Sequence, residues 1–145
     1  MLLALTATGD LPPGIHLADW AELEHRFGAG SEARLRAFAK LRLLYALAGR
    51  TGKLARFLVF GSFVTAKPVP RDIDVVLIMA EDFHQEDAPR EAQTLFSHAD
   101  AEARLGASVF WLRQGMLSPA IMAEFLDTWQ MTREGDRRGI VEVQA

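Results

Sequence analysis

Two aspartates, Asp72 and Asp74, stand at the start of an apolar run at residues 75–79 of this 145-residue chain. Residues two apart in a β-strand point to the same face, with Cα atoms about 6.5–7 Å apart. Carboxylates held that close at the entrance to a buried strand repel each other and are costly to bury. Mg²⁺ removes that penalty, because it takes oxygen ligands and shares its coordination shell with substrate phosphates. The spacing therefore makes Asp72 and Asp74 candidate magnesium ligands and candidate catalytic residues.

A candidate phosphate site lies just upstream of these aspartates. Gly61 and Ser62 directly follow the apolar segment RFLVF, which is typical of a strand. Glycine lets the backbone approach a ligand closely, and serine adds a hydroxyl beside exposed N–H groups. Lys67 and Arg71 flank the loop that leads to the aspartates, and both side chains can neutralise phosphate oxygens. We therefore interpret these four residues as a nucleotide-binding set.

The same residues also have ordinary structural interpretations. A glycine-serine pair after a strand is common in turns and helix caps, and loop cations are often simply solvated. Asp72 can cap the turn after Pro70 while Asp74 faces solvent at a sheet edge. The combination of the two motifs, rather than either one alone, favours the functional interpretation.

The stretch GSFVTAKPVPRDIDVVLIM, residues 61–79, resembles the signature of the polymerase-β-like nucleotidyltransferase superfamily, and is most similar to its small bacterial branch of minimal nucleotidyltransferases. The segments LPPGIH and RRGIVEV extend the similarity, to a group of short bacterial proteins, over most of the chain. The resemblance implies that Gly61 and Ser62 hold a triphosphate and that Asp72 and Asp74 bind Mg²⁺. It further implies transfer of a nucleoside monophosphate from a nucleoside triphosphate such as ATP to a hydroxyl on a protein or RNA. By family analogy, this activity could belong to a toxin–antitoxin system.

One position departs from the superfamily pattern, which includes a third carboxylate on a later strand. This chain has Ser108 at the matching position in LGASVFWL. Serine lacks the negative charge that would hold a second metal, and the natural general base is lost with the carboxylate. Two alternatives therefore stay open: an active nucleotidyltransferase, or a catalytically inactive module of the same fold that binds a partner protein. A group of acidic residues could swing back to the site or form a solvated loop: Glu81, Asp82, Glu86 and Asp87.

Aromatic and histidine side chains are further candidates for ligand contacts. Phe110, Trp111 and Trp129 could stack a nucleobase, although aromatics at these spacings more often belong to a core. The histidines show no pairing typical of metal ligands, and we expect them at the surface or in the core: His16, His25, His84 and His98.

The order of helical and strand patterns predicts one nucleotidyltransferase-like α/β (α+β) domain, with a small mixed sheet of three to four strands flanked by helices. We interpret residues 1–18 as an extended lead-in, 19–49 as N-terminal helices and 55–145 as the sheet-and-helix core. A crossover of parallel type should connect the second and third strands. The segment GIVEV predicts either a short edge strand or a packed tail.

Helix boundaries follow from caps and apolar spacing. A first helix should begin after Asp19 and end at Gly28, and a second should run from Ser31 to about Ala48. A third helix should run continuously over residues 87–106, and a fourth should open at Ser118. The second helix has an apolar stripe that predicts its buried face: Leu35, Phe38, Leu41, Leu44, Tyr45 and Ala48.

The composition indicates a soluble globular protein, since half of the residues are apolar and 24% are charged. A net charge of −3 argues against non-specific binding to DNA or to anionic membranes. The sequence has no cysteine, no signal-peptide pattern and no apolar segment near the roughly 20 residues of a membrane helix. We therefore expect a cytoplasmic protein. The termini MLLAL and GIVEV could pair with a second copy as edge strands, which would make a homodimer.

Overall fold

The apolar segments RFLVF, IDVVLIM and ASVFWL form neighbouring β-strands in the computed structural model, which describes residues 2–132 and 134–144. Two shorter strands complete a mixed sheet of five, so the predicted count of three to four strands is wrong. The mixed α+β class is confirmed. The strands in chain order are β1 (Ile15–Ala18), β2 (Leu54–Phe60), β3 (Ile73–Met79), β4 (Ala107–Arg113) and β5 (Ile140–Val143).

The strand order across the sheet is β1-β5-β2-β3-β4. β3 and β4 pair in parallel, which confirms the predicted crossover between them, whereas β2 is antiparallel to both β3 and β5. β5, which contains most of GIVEV, lies inside the sheet between β1 and β2 and is not an edge strand. The predicted lead-in ends in β1, whose four residues pair with β5 at the other end of the chain.

Four α-helices pack around this sheet within the described residues: α1 (Trp20–Phe27), α2 (Glu32–Gly49), α3 (His98–Leu105) and α4 (Pro119–Thr128). The predicted caps Asp19, Ser31 and Ser118 each accept a backbone hydrogen bond in the first turn of their helix. Over residues 2–132 and 134–144, no helix is both long enough and apolar enough to span a membrane.

The buried face of α2 differs from the prediction at its first turn. Leu35 is 57% exposed, whereas Arg34 is only 8% exposed. The rest of the predicted stripe is buried or half-buried, and it continues back from Phe38 to Arg34 at a spacing of four. The stripe therefore includes an arginine, which has a specific role in the site described below.

The continuous helix predicted over residues 87–106 is also wrong, because the chain breaks at Ser97. A 3₁₀ segment, Arg90–Phe96, precedes the break, and α3 follows it. Ser97 has an extended backbone with φ −117° and ψ 112°, and its side chain caps α3. The break shifts the buried face of α3 to Ala101. Ala99 and Ala103, which an uninterrupted helix would place on the same apolar face as Ala92 and Phe96, are exposed.

The residues of β3 alternate between two cores on opposite faces of the sheet. Val75 and Leu77 belong to the larger core, which α1 and α2 cover, and Val76 belongs to a smaller core beneath α4. Asp74 precedes Val76 by two residues and therefore shares the α4 face of the sheet. The β-ladder sets Asp74 between Phe60 of β2 and Ser108 of β4, so this row marks the end of the smaller core.

Candidate functional site

A cleft of about 830 Å³ opens where β2 ends and β3 begins. This volume falls within the roughly 300–1,000 Å³ typical of ligand sites. Because β2 and β3 are antiparallel, the end of one strand adjoins the start of the other, and the connecting loop borders the same space. All six of the residues singled out from the sequence line the cleft: Gly61, Ser62, Lys67, Arg71, Asp72 and Asp74.

Gly61 and Asp74 are packed directly against each other. Gly61 has φ +80° and ψ −162°, a conformation that residues with a side chain rarely adopt. A Cβ atom at this position would lie 2.1 Å from Oδ2 of Asp74. Glycine is therefore required twice over, by the backbone conformation and by the space that the carboxylate occupies. The close approach also fixes the position of Asp74 relative to the start of the Ser62–Val64 3₁₀ turn.

Hydrogen bonds of Ser62 and Thr65 hold the loop between the two motifs. The Ser62 hydroxyl accepts from the backbone N–H of Arg71 at 2.9 Å, and the Thr65 hydroxyl donates to the Ser62 carbonyl at 2.7 Å. Because the Ser62 oxygen serves as an acceptor, its proton can still be donated to a phosphate oxygen. Lys67 and Arg71 are exposed and line the cleft, so both cations can reach a ligand there.

Arg34 of α2 organises this loop from beneath. Its guanidinium donates to the carbonyl oxygens of Phe27 at 3.1 Å, Phe63 at 2.9 Å and Thr65 at 2.7 Å, and it also donates to the Lys67 carbonyl. Three of these carbonyls belong to the segment between Gly61 and Arg71. The buried cation therefore satisfies backbone acceptors that would otherwise be unpaired, and it fixes the loop that carries Lys67.

We expect Arg34→Ala to destabilise the fold by about 2–4 kcal/mol, because several buried carbonyls lose their only charged donor. Urea unfolding measures this change. Arg36→Ala is the matched control on the same helix, since the Arg36 side chain is 76% exposed and forms an ion pair at 3.8 Å with Glu32, which is also exposed. The control should change stability by less than about 0.5 kcal/mol. Equal effects of the two substitutions would show that Arg34 does not support the loop.

The environment of Asp74 makes its charge costly. Burial, first, and the negative charge of Asp72, second, raise the pKa of Asp74 to about 6. The nearby Ser108 hydroxyl and the positive charge of Arg138 lower the pKa of Asp74, but by less than burial and Asp72 raise it. The ionised carboxylate is therefore under-compensated within the protein, and this is the electrostatic condition in which a bound cation is favourable.

A third acidic side chain, Glu102 of α3, lies beside Ser108 at the edge of the cleft. The Ser108 hydroxyl donates to Oε1 of Glu102 at 3.3 Å, and the negative charge of Glu102 contributes to the raised pKa of Asp74. Nε2 of His98 lies 3.2 Å from the same Glu102 oxygen. Both Ser108 and Glu102 line the cleft. A carboxylate from a helix thus lies next to the strand position at which the superfamily pattern has its third acid.

The two ends of the chain complete the cleft wall. Arg138, just before β5, lies 3.8 Å from Asp10 in an ion pair, and both residues line the cleft. The N-terminal segment is held there because the Ala66 N–H donates to the Gly9 carbonyl at 2.8 Å. Arg138 therefore adds a cation to the cleft from a segment far along the chain from Lys67 and Arg71. The sequence motifs did not identify it.

The other candidates from the sequence lie elsewhere. The acidic residues after β3 are exposed at the far end of that strand from Asp74, and Asp82 pairs with Lys53 at 2.6 Å. Among the described residues they do not line the cleft, so the solvated-loop interpretation is favoured. Trp111 packs edge-on against Phe83 at 5.5 Å in the larger core, whereas Trp129 is half-buried beside the cleft.

Asp72 and Asp74 could hold a cation such as Mg²⁺ together with ligands from a bound molecule, but not by protein side chains alone. Within the described residues, no group of three histidine, cysteine, aspartate or glutamate side chains is arranged to hold a metal ion. Asp72 and Asp74 supply two carboxylates, and Mg²⁺ usually binds through one or two carboxylates together with substrate phosphates and water. The remaining ligands would therefore come from a bound triphosphate.

The chain belongs to a family described as a family of unknown function, DUF6932, whose model matches residues 3–144. The match covers nearly the whole chain, including both sequence motifs and the segments that close the cleft. No curated protein and no solved structure matches the chain.

Proposed function

We propose that this protein is a Mg²⁺-dependent nucleotidyltransferase that moves a nucleoside monophosphate from a nucleoside triphosphate to a hydroxyl on a protein or RNA. The observation that carries the proposal is the under-compensated Asp74 carboxylate, packed against Gly61 in a cleft that also holds Ser62, Lys67 and Arg71. The Asp74 carboxylate, which a cation would stabilise, therefore lies in the same cleft as Ser62, Lys67 and Arg71, which can bind an anion. A metal–triphosphate complex satisfies both requirements.

In this reaction the acceptor hydroxyl oxygen forms a bond to the α-phosphorus, and the bond from that phosphorus to pyrophosphate breaks. Bound Mg²⁺ would neutralise the charge that develops on the phosphate oxygens. The backbone at Gly61 and the hydroxyl of Ser62 orient the triphosphate, and Lys67 and Arg71 stabilise the departing pyrophosphate. We assign the proton of the acceptor hydroxyl to Glu102, which is the carboxylate beside Ser108.

The second candidate function is that of an inactive module with the same site, which acts by binding a partner protein. Ser108 favours it, because the strand position paired with Asp74 carries no charge. The two functions share metal-dependent nucleotide binding and differ in whether a covalent product forms. Both therefore predict the binding result below, and only the enzyme predicts transfer.

Addition of ATP with Mg²⁺ should raise the melting temperature. At a ligand concentration one hundred times the dissociation constant, binding should add about 3 kcal/mol to the free energy of unfolding. ATP with EDTA should have a much smaller effect, because the aspartates then repel the triphosphate. Incubation with α-³²P-labelled nucleoside triphosphates and cell lysate should label a protein or RNA. Binding without any labelled product would favour the inactive module, and an unchanged melting temperature with every nucleoside triphosphate would contradict both functions.

A further inference from the structure

A second recess, of about 340 Å³, adjoins the cleft on the α4 side. It shares four lining residues with the cleft: Gly61, Asp74, Thr132 and Arg138. The two spaces are therefore continuous around the Asp74 carboxylate. Their chemistry differs, because the second recess is bordered by Phe60, Trp129 and Met131, which are apolar or aromatic.

Aromatic side chains form one wall of this recess. The rings of Phe60 and Trp129, which both line it, have centroids 4.8 Å apart, and the ring of Phe110 packs against both, at 6.3 Å and 4.5 Å. These three side chains are only half-buried, and Met131 at the rim is 45% exposed. Apolar rings and a thioether left partly open beside a polar site provide the surface on which a planar ring stacks.

Polar groups of the chain also lie close to these rings. Nε1 of Trp129 is buried and has no hydrogen-bond partner among the described residues. Because this N–H is enclosed by protein atoms, it adds no open donor to the recess, whereas Thr132 lines the recess directly. The Thr132 hydroxyl accepts from the Asp136 N–H at 3.1 Å, and it keeps its proton for a ligand at the recess.

We propose that the second recess binds the nucleobase of the nucleotide, with the base stacked beside Trp129 and Met131. This inference rests on the proposed function, because it places the base of the same nucleotide whose triphosphate occupies the cleft. An uncharged planar ring with polar edges can pack against Trp129 and Met131 and accept a hydrogen bond from the Thr132 hydroxyl. A phosphate would instead meet the Asp74 carboxylate and apolar side chains there, and Arg138 at the edge of the recess is already in an ion pair with Asp10, so the recess is less suited to a second anion.

Two magnesium complexes separate the base from the phosphates as ligands: ATP and inorganic tripolyphosphate, which has no base. We expect Trp129→Ala to weaken ATP binding about tenfold or more, as the loss of an aromatic stacking partner typically does, and Met131→Ala to weaken it about threefold to tenfold. Tripolyphosphate binding should stay within about twofold of the unsubstituted protein. Trp129→Phe, which keeps a ring, should recover most of the ATP affinity.

Met116→Ala is the matched control, because Met116 is 58% exposed and lies beyond β4, away from the recess. Circular dichroism of each variant identifies any that fails to fold, and the exposed Met131 keeps the test valid if Trp129→Ala unfolds. Unchanged ATP affinity in folded variants would overturn the base site. If those variants lose only transfer to the acceptor, the recess belongs to the acceptor instead.

The two proposals can fail separately. If tripolyphosphate binds with Mg²⁺ and ATP binds no more tightly, the base site is wrong while the phosphate and metal site stands. If neither complex binds the unsubstituted protein, both proposals are overturned.

Discussion

Asparagine in place of Asp74 should stabilise the metal-free protein at pH 7 and should abolish its further stabilisation by ATP with Mg²⁺. The first effect is expected because the ionised carboxylate is half-buried beside Asp72 without adequate compensation. The second is expected because the neutral amide cannot replace a carboxylate ligand of Mg²⁺. A substitution that raises stability and removes binding is typical of a strained functional site.

The pH dependence of this effect follows from the folded-state pKa of Asp74, which is about 6 and lies above the ordinary aspartate value of 3.8. The folded protein holds this proton more tightly than the unfolded chain, so the protonated form contributes stability below about pH 4. That contribution is lost as the pH rises through about 6. Above that pH, the ionised Asp74 carboxylate lowers the free energy of unfolding by about 1–2 kcal/mol, after allowance for solvent screening of a partly exposed group.

Urea unfolding at pH 4.5 and pH 7.5 measures this difference. The gap in stability between Asp74→Asn and the unsubstituted protein should be small at the lower pH and reach its full size at the higher pH. Asp87→Asn is the matched control, because Asp87 is exposed beyond the other end of β3, and its effect should be near zero at both values. An asparagine variant that is less stable at pH 7.5, or that still gains stability from ATP with Mg²⁺, would contradict the assignment.

Alanine in place of Gly61 should have a large structural effect, with a loss of about 2–4 kcal/mol in the free energy of unfolding. The positive φ accounts for about 1–3 kcal/mol of that loss. The new Cβ atom must also displace the Asp74 carboxylate, from which it would lie 2.1 Å. We expect ATP binding to weaken at least tenfold, because the proposed metal ligand and the proposed phosphate-binding backbone would both move.

Gly52→Ala separates the two contributions. Gly52 has φ +68°, and a Cβ atom there would have nothing within 4 Å. This control should show the loss due to backbone strain alone and should leave ATP binding unchanged. If Gly61→Ala is no more harmful than Gly52→Ala in either measurement, the packing of Gly61 against Asp74 is not important for the site.

Much of the site could be predicted from sequence because its residues are local. Residues 61–74 join two adjacent antiparallel strands, so the loop returns to the end of the strand from which it started. The glycine-serine pair and the aspartates therefore come together without help from distant parts of the chain. The alternation of β3 is equally local, and it determines that Asp74 shares a face with Val76.

The parts that sequence reasoning missed depend on contacts between distant segments. β1 has four residues, and its partner is β5 near the other end of the chain, so no local pattern indicates the pairing. Glu102 reaches Ser108 only because the chain breaks at Ser97 and α3 packs along β4. A search for the missing acid in the loop after β3 could not find it. Arg34 was different, since its place four residues before Phe38 on the apolar stripe was a usable signal.

The most direct test of the metal site is the crystal structure of the protein with Mn²⁺ and a non-hydrolysable ATP analogue at pH 7.5. Anomalous scattering then locates the ion independently of the protein atoms. We predict a peak at bonding distance, about 2.0–2.3 Å, from carboxylate oxygens of both Asp72 and Asp74 and from oxygens of the triphosphate. A nucleotide bound in the cleft with no anomalous peak between the aspartates, or a peak bound only by residues elsewhere, would contradict the account.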